Sequence, residues 1–87
     1  MPASIGEINA AVSKMSDETL NALTYLRTAQ QKLQSVGAAA TEMMQGTSQS
    51  GVIEACGLVH QAVSAVDDAV KQTLTTQSSL TTYTGSL

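Results

Sequence analysis

The stretch Met43-Met44-Gln45-Gly46-Thr47-Ser48-Gln49-Ser50-Gly51-Val52 sets two glycines around a short run of small polar residues. Glycine and serine favour turns, and a long segment with helical apolar spacing lies on either side. Met44, Gly46 and Gly51 are read as the turn residues of a helical hairpin. Before the turn, the apolar positions run Ile5, Ile8, Val12, Met15, Thr19, Ala22, Leu26, Ala29, Leu33, Val36, Ala40, Met43. They alternate steps of three and four, which keeps one seam on one helix face. After it they run Val52, Cys56, Val59, Val63, Val66, Val70, Thr73 or Leu74, Gln77, Leu80 in the same rhythm. Folding the two back on each other pairs Met43 with Val52, Ala40 with Cys56, Leu33 with Val63, Leu26 with Val70 and Met15 with Leu80, a nearly constant antiparallel register. Thr19, the one polar residue of the first seam, then faces Gln77 in the second. The pair is expected to form a buried polar layer that sets the register.

Eighty-seven residues make one domain, read here as helix one over about 4–44, a turn over 45–51 and helix two over about 51–80. The composition is 43% hydrophobic but only 2% aromatic, with neither Trp nor Phe. A two-helix core must then be built from Val, Ala, Leu and Met. Each buried methylene contributes about 0.8 kcal/mol, so an isolated hairpin is marginal and a partner is expected. The expected fold class is all-α: an antiparallel helical hairpin that assembles into a four-helix bundle.

The net charge is −3, and the four basic residues Lys14, Arg27, Lys32 and Lys71 are scattered. That balance opposes binding to nucleic acid or to anionic membranes. No stretch is long and apolar enough to span a membrane, and Met1-Pro2-Ala3-Ser4 lacks the basic start of a signal peptide. The expected location is the cytoplasm, or outside the cell without a cleavable signal.

Ser4, with Glu7 three residues on, has capping-box spacing and starts helix one. Ser16-Asp17-Glu18-Thr19 offers a second N-cap at which the helix could break. Gly37 and Gly57 fall on either side of the turn near Val59, His60, Ala39 and Ala40, which suggests a close approach of the two helices. Ser50 is a good N-cap for helix two, whose Ser- and Thr-rich end beyond Thr76 is expected to hold more weakly. The tail from Tyr83 to Leu87 is expected to fray.

No catalytic constellation emerges. Cys56 and His60 share a helix face four residues apart, but two ligands make half a zinc or copper site. The simpler reading is a buried thiol with a histidine at its edge. The adjacent Asp67 and Asp68 diverge by about 100° and cannot act as a dyad; Asp67 suits an ion pair with Lys71. No cofactor is expected. One feature exceeds the needs of a lone hairpin: a second stripe, Ala55, Leu58, Ala62, Ala65, Ala69, runs beside the valine seam, and Leu20 and Leu23 flank the first seam. A helix apolar on two adjacent stripes packs against two neighbours, so these residues are read as a partner interface.

In length and in its glycine turn near the middle, the chain resembles the WXG family of small helical hairpins associated with type VII (Esx) secretion. The family's Trp-x-Gly motif falls on Met44-Gln45-Gly46, with Gly46 matching and Met44 in place of the tryptophan. Its tail signal, a tyrosine followed four residues later by an acid, falls on Tyr83 and Leu87, with leucine in place of the acid. The resemblance implies a non-enzymatic protein forming a homodimer, or a heterodimer with a sister hairpin, that is itself secreted or accompanies a larger secreted effector. The other reading from the residues is an intracellular adaptor or immunity-type protein that binds its target through the alanine stripe.

Overall fold

The computed structural model describes residues 4–85, which form two long helices, α1 (Ile5–Gln45) and α2 (Ser50–Gly85), packed as an antiparallel hairpin. There is no strand among the described residues. At 1.5 Å per residue the 41 residues of α1 account for the whole 62 Å length of the molecule.

Ser4 is the N-cap of α1: its backbone is extended and its Oγ accepts a 3.1 Å bond from the Glu7 N–H. The helix continues unbroken past Ser16, whose hydroxyl is engaged across the hairpin by the Gln77 side chain at 2.9 Å. At the far end the Gly46 N–H donates to the Met43 carbonyl at 3.1 Å. The connection itself is only residues 46–49, so Met44 lies within α1 and Gly51 within α2. No glycine among the described residues has a positive φ, so the turn does not depend on a left-handed conformation. Thr47 Oγ1 accepts from the Gln49 N–H at 3.1 Å, and the Gln49 carbonyl accepts the first bond of α2 from Ile53.

Helix α2 runs to Gly85, well beyond the expected weakening at Thr76. The hydroxyls of Thr75, Thr76, Thr82 and Thr84 each donate to the carbonyl four residues back, at 2.9–3.0 Å. Side chains that compete for the backbone in a loop are here satisfied on the helix itself. Leu87, onto which the far position of the family's tail signal falls, lies outside the described residues.

On α2 the inward seam is Val52, Cys56, Val59, Val63, Val66, Val70, Thr73, Gln77 and Leu80, as read from the sequence, and Leu74 points outward at 40% exposure. On α1 the seam is rotated. Val12, Thr19, Leu26, Leu33 and Ala40 face inward as expected, but the alternate positions are Asn9, Ser16, Leu23, Gln30 and Gly37. Ile8, Met15, Val36 and Met43 are left exposed.

Three contacts explain the choice. Gly37 is buried so tightly that a Cβ there would lie 3.2 Å from Val63 Cγ2. Gln30 Nε2 donates to Asp67 Oδ1 at 3.0 Å, and Gln77 Nε2 donates to Ser16 Oγ. Asp67 therefore reaches across to α1 rather than along α2 to Lys71. The expected close approach holds at Gly37 only, because a Cβ on Gly57 would meet nothing within 4 Å.

Candidate functional site

The rotation of α1 leaves the hairpin with two unlike edges. Beside the turn, Val36, Ala39 and Met43 of α1 and Gly51 and Ala55 of α2 line one open groove of about 400 Å³, with Ala40, Val52, Cys56 and Val59 contributing from the seam. No polar side chain takes part. The groove itself ends beside the turn, but residues seven apart lie on nearly the same helix face, so the stripes that supply its walls can be followed along the rod. On α1 the stripe is Ile8, Met15, Ala22, Ala29, Val36 and Met43; beside it run Ala11, Glu18, Tyr25, Lys32 and Ala39. On α2 it is Ala55, Ala62 and Ala69, with Leu58 and Ala65 beside it. Met15, Val36, Met43 and Leu58 are 47%, 48%, 56% and 60% exposed.

The opposite edge is where the polar contacts between the helices gather. Thr41 Oγ1 donates to the Gly37 carbonyl at 3.0 Å and lies 3.3 Å from His60 Nε2. A hydroxyl has one proton, so the imidazole supplies the N–H of the second bond. Arg27 Nη1 donates to Gln30 Oε1 at 3.5 Å, and the same amide donates to Asp67, so one glutamine links a cation on α1 to a carboxylate on α2.

No protein-family model, curated protein or solved structure matches the chain.

Of the residues read as a partner interface, Ala55, Leu58, Ala62 and Ala65 lie exposed on the apolar edge, and Ala69 is half-buried there. Leu20 and Leu23 do not join them. Leu23 is half-buried in the seam, and Leu20 lies on the Arg27 and Thr41 edge. What accompanies the alanines is the stripe from Ile8 to Met43, which sequence reasoning had placed inside the hairpin. The signals that could have separated the two were Gly37, the one position where α1 can press close to α2, and the hydrogen-bonding match of Gln30 with Asp67.

Thr19 and Gln77 are both half-buried in the seam. Thr19 Oγ1 donates to the Met15 carbonyl of its own helix at 2.6 Å, and it is Ser16 that meets Gln77. Gln77 Oε1 and Asn9 Oδ1 are buried without a protein partner. The seam is therefore polar towards the open end and apolar towards the turn. The free thiol of Cys56 is buried in the seam while His60 is turned to Thr41, and among the described residues no group of three or more His, Cys, Asp or Glu could hold a metal ion. No described helix is long and apolar enough to cross a membrane.

Proposed function

We propose that the chain is a non-enzymatic interaction module whose apolar edge docks on a second helical hairpin to complete a four-helix bundle. In this reading it is a WXG-like substrate of type VII secretion, or the companion of a larger secreted effector. The observation that carries the docking is the row of exposed Met15, Val36, Met43 and Leu58 on the edge that holds the apolar groove, along a rod whose own core is thin. Leu20, Ile53 and Leu74 are exposed on the other edge, where the polar contacts between the helices gather. Among the described residues only Val12, Ala40, Cys56 and Val70 are buried apolar side chains, and none is fully buried. A hairpin holding so little apolar surface away from water gains its stability from association. The secretion assignment rests on the hairpin form and on Gly46 following the turn-proximal Met44-Gln45.

Sedimentation of the purified chain, alone and co-expressed with any hairpin encoded beside it, tests the docking. Association is expected at micromolar concentration, with a melting temperature that rises with concentration. Met15→Glu and Val36→Glu should abolish it, and Leu20→Glu on the other edge should not. A cooperative monomer in both settings, with a concentration-independent melting temperature, refutes the bundle. Retention in the cell, in a host whose type VII secretion ATPase is intact, refutes the export reading.

A further inference from the structure

We propose that the partner on the apolar edge is a second copy of this chain, lying antiparallel so that α1 packs on α1 across a two-fold axis beside Tyr25. The proposal rests on the docking edge inferred above and adds the identity and register of what covers it. When two hairpins meet face to face about an axis perpendicular to their length, each helix lies on its own counterpart running the other way. Residue i then meets j, and j meets i. A surface built for this must read alike in both directions.

The two outer stripes of α1 do, exposed at every position but the half-buried Ala29. From one end to the other, the first is Ile8, Met15, Ala22, Ala29, Val36, Met43: two large side chains, two small, two large. The second is Ala11, Glu18, Tyr25, Lys32, Ala39: small, acidic, aromatic, basic, small. Both sequences turn about the same level, that of Tyr25, which is 78% exposed.

Superposing each stripe on its reverse brings Ile8 to Met43, Met15 to Val36 and Ala22 to Ala29. It also sets Glu18 of each copy against Lys32 of the other. The contact therefore carries two opposite-charge pairs and no like-charge pair along these stripes. Near the axis Ala22 and Ala29, with Ala69 of α2 at a similar height, let the backbones approach. Towards the ends, Ile8 and Met15 of one copy arrive at the groove that Val36, Met43 and Ala55 form beside the turn of the other.

The area agrees. A compact monomer of 9.0 kDa exposes about 4,850 Å². This chain exposes 6239 Å², an excess of roughly 1,400 Å² over that scaling. A stable dimer of ordinary size covers about 800 Å² on each partner.

The test is charge exchange on the full chain, read by sedimentation equilibrium at low salt. Glu18→Lys alone, or Lys32→Glu alone, sets like charges opposite one another at two symmetric places, and each should weaken dimerisation by about tenfold. The double variant Glu18→Lys/Lys32→Glu should return it to within about threefold of the unaltered chain. A second readout does not depend on charge. Tyr25→Cys should form a symmetric interchain disulfide on mild oxidation, while Ser35→Cys, on the outward side of α1, should not.

A dimer in which the double variant gives no recovery and Tyr25→Cys fails to crosslink overturns this register, and leaves the docking edge standing if Met15→Glu still dissociates it. A chain that associates only with a different hairpin overturns the second copy as partner but not the edge. A chain that associates with nothing overturns both.

Discussion

Replacing Gly37 by alanine sets two effects of known size against each other. In a helix interior glycine costs roughly 0.5–1 kcal/mol relative to alanine, so the substitution by itself should stabilise. The new Cβ, however, would lie 3.2 Å from Val63 Cγ2, about half an ångström inside an ordinary carbon–carbon contact. Overpacking of this kind costs typically 1–3 kcal/mol. Val63 is half-buried and can give a little, so the lower part of that range applies and, set against the propensity gain, the net expectation is a loss of about 0.5 kcal/mol.

Gly57→Ala is the internal standard, because a Cβ there meets nothing within 4 Å. It should keep the whole propensity gain and raise the melting temperature by a few degrees, at roughly 4–8 °C per kcal/mol for a domain of this size. Thermal melts at fixed protein concentration compare the two. Val63→Ala should cost less in the Gly37→Ala background than alone, with a coupling of at least about 0.5 kcal/mol. Equal stabilisation by Gly37→Ala and Gly57→Ala, or a coupling near zero, would mean that the helices do not press together at this point.

Three further outcomes are expected. Ser16→Ala removes the acceptor of the half-buried Gln77 amide and should cost about 1 kcal/mol, whereas Gln77→Leu combined with Ser16→Ala should recover it and Thr19→Val should change little; urea melts of the three variants check this. Gln30→Ala leaves the Asp67 carboxylate without its donor and should cost about 1 kcal/mol, and adding Asp67→Ala should add almost nothing, a non-additivity that a double-mutant cycle measures. Ser4→Ala removes the cap of α1 and should cost about 1 kcal/mol, visible as faster hydrogen exchange at the Glu7 amide with the exchange of mid-helix amides nearly unchanged.

The hairpin and its antiparallel pairing were legible in the sequence because they depend on one-dimensional signals. The small polar run from Gly46 to Gly51 interrupts two apolar rhythms of period seven, and the valines of α2 point unambiguously to one side. The Ser4 cap was legible for the same reason, since its donor lies three residues away. The reach of α2 through Thr82 and Thr84 was not, because propensity counts threonine against a helix without knowing that its hydroxyl has closed on its own backbone.

Which stripe of α1 turns inward was decided only in three dimensions. The two candidates share Val12, Thr19, Leu26, Leu33 and Ala40 and differ by a rotation of about 50°, and the one with more apolar residues, containing Met15 and Val36, is the one left outside. Periodicity tells which residues share a face, not which neighbour that face meets. That was settled by contacts between residues far apart in the chain: the fit of Gly37 against Val63 and the bonds from Gln30 to Asp67 and from Gln77 to Ser16. These spend the polar stripe within the hairpin and leave the apolar one free for a second molecule.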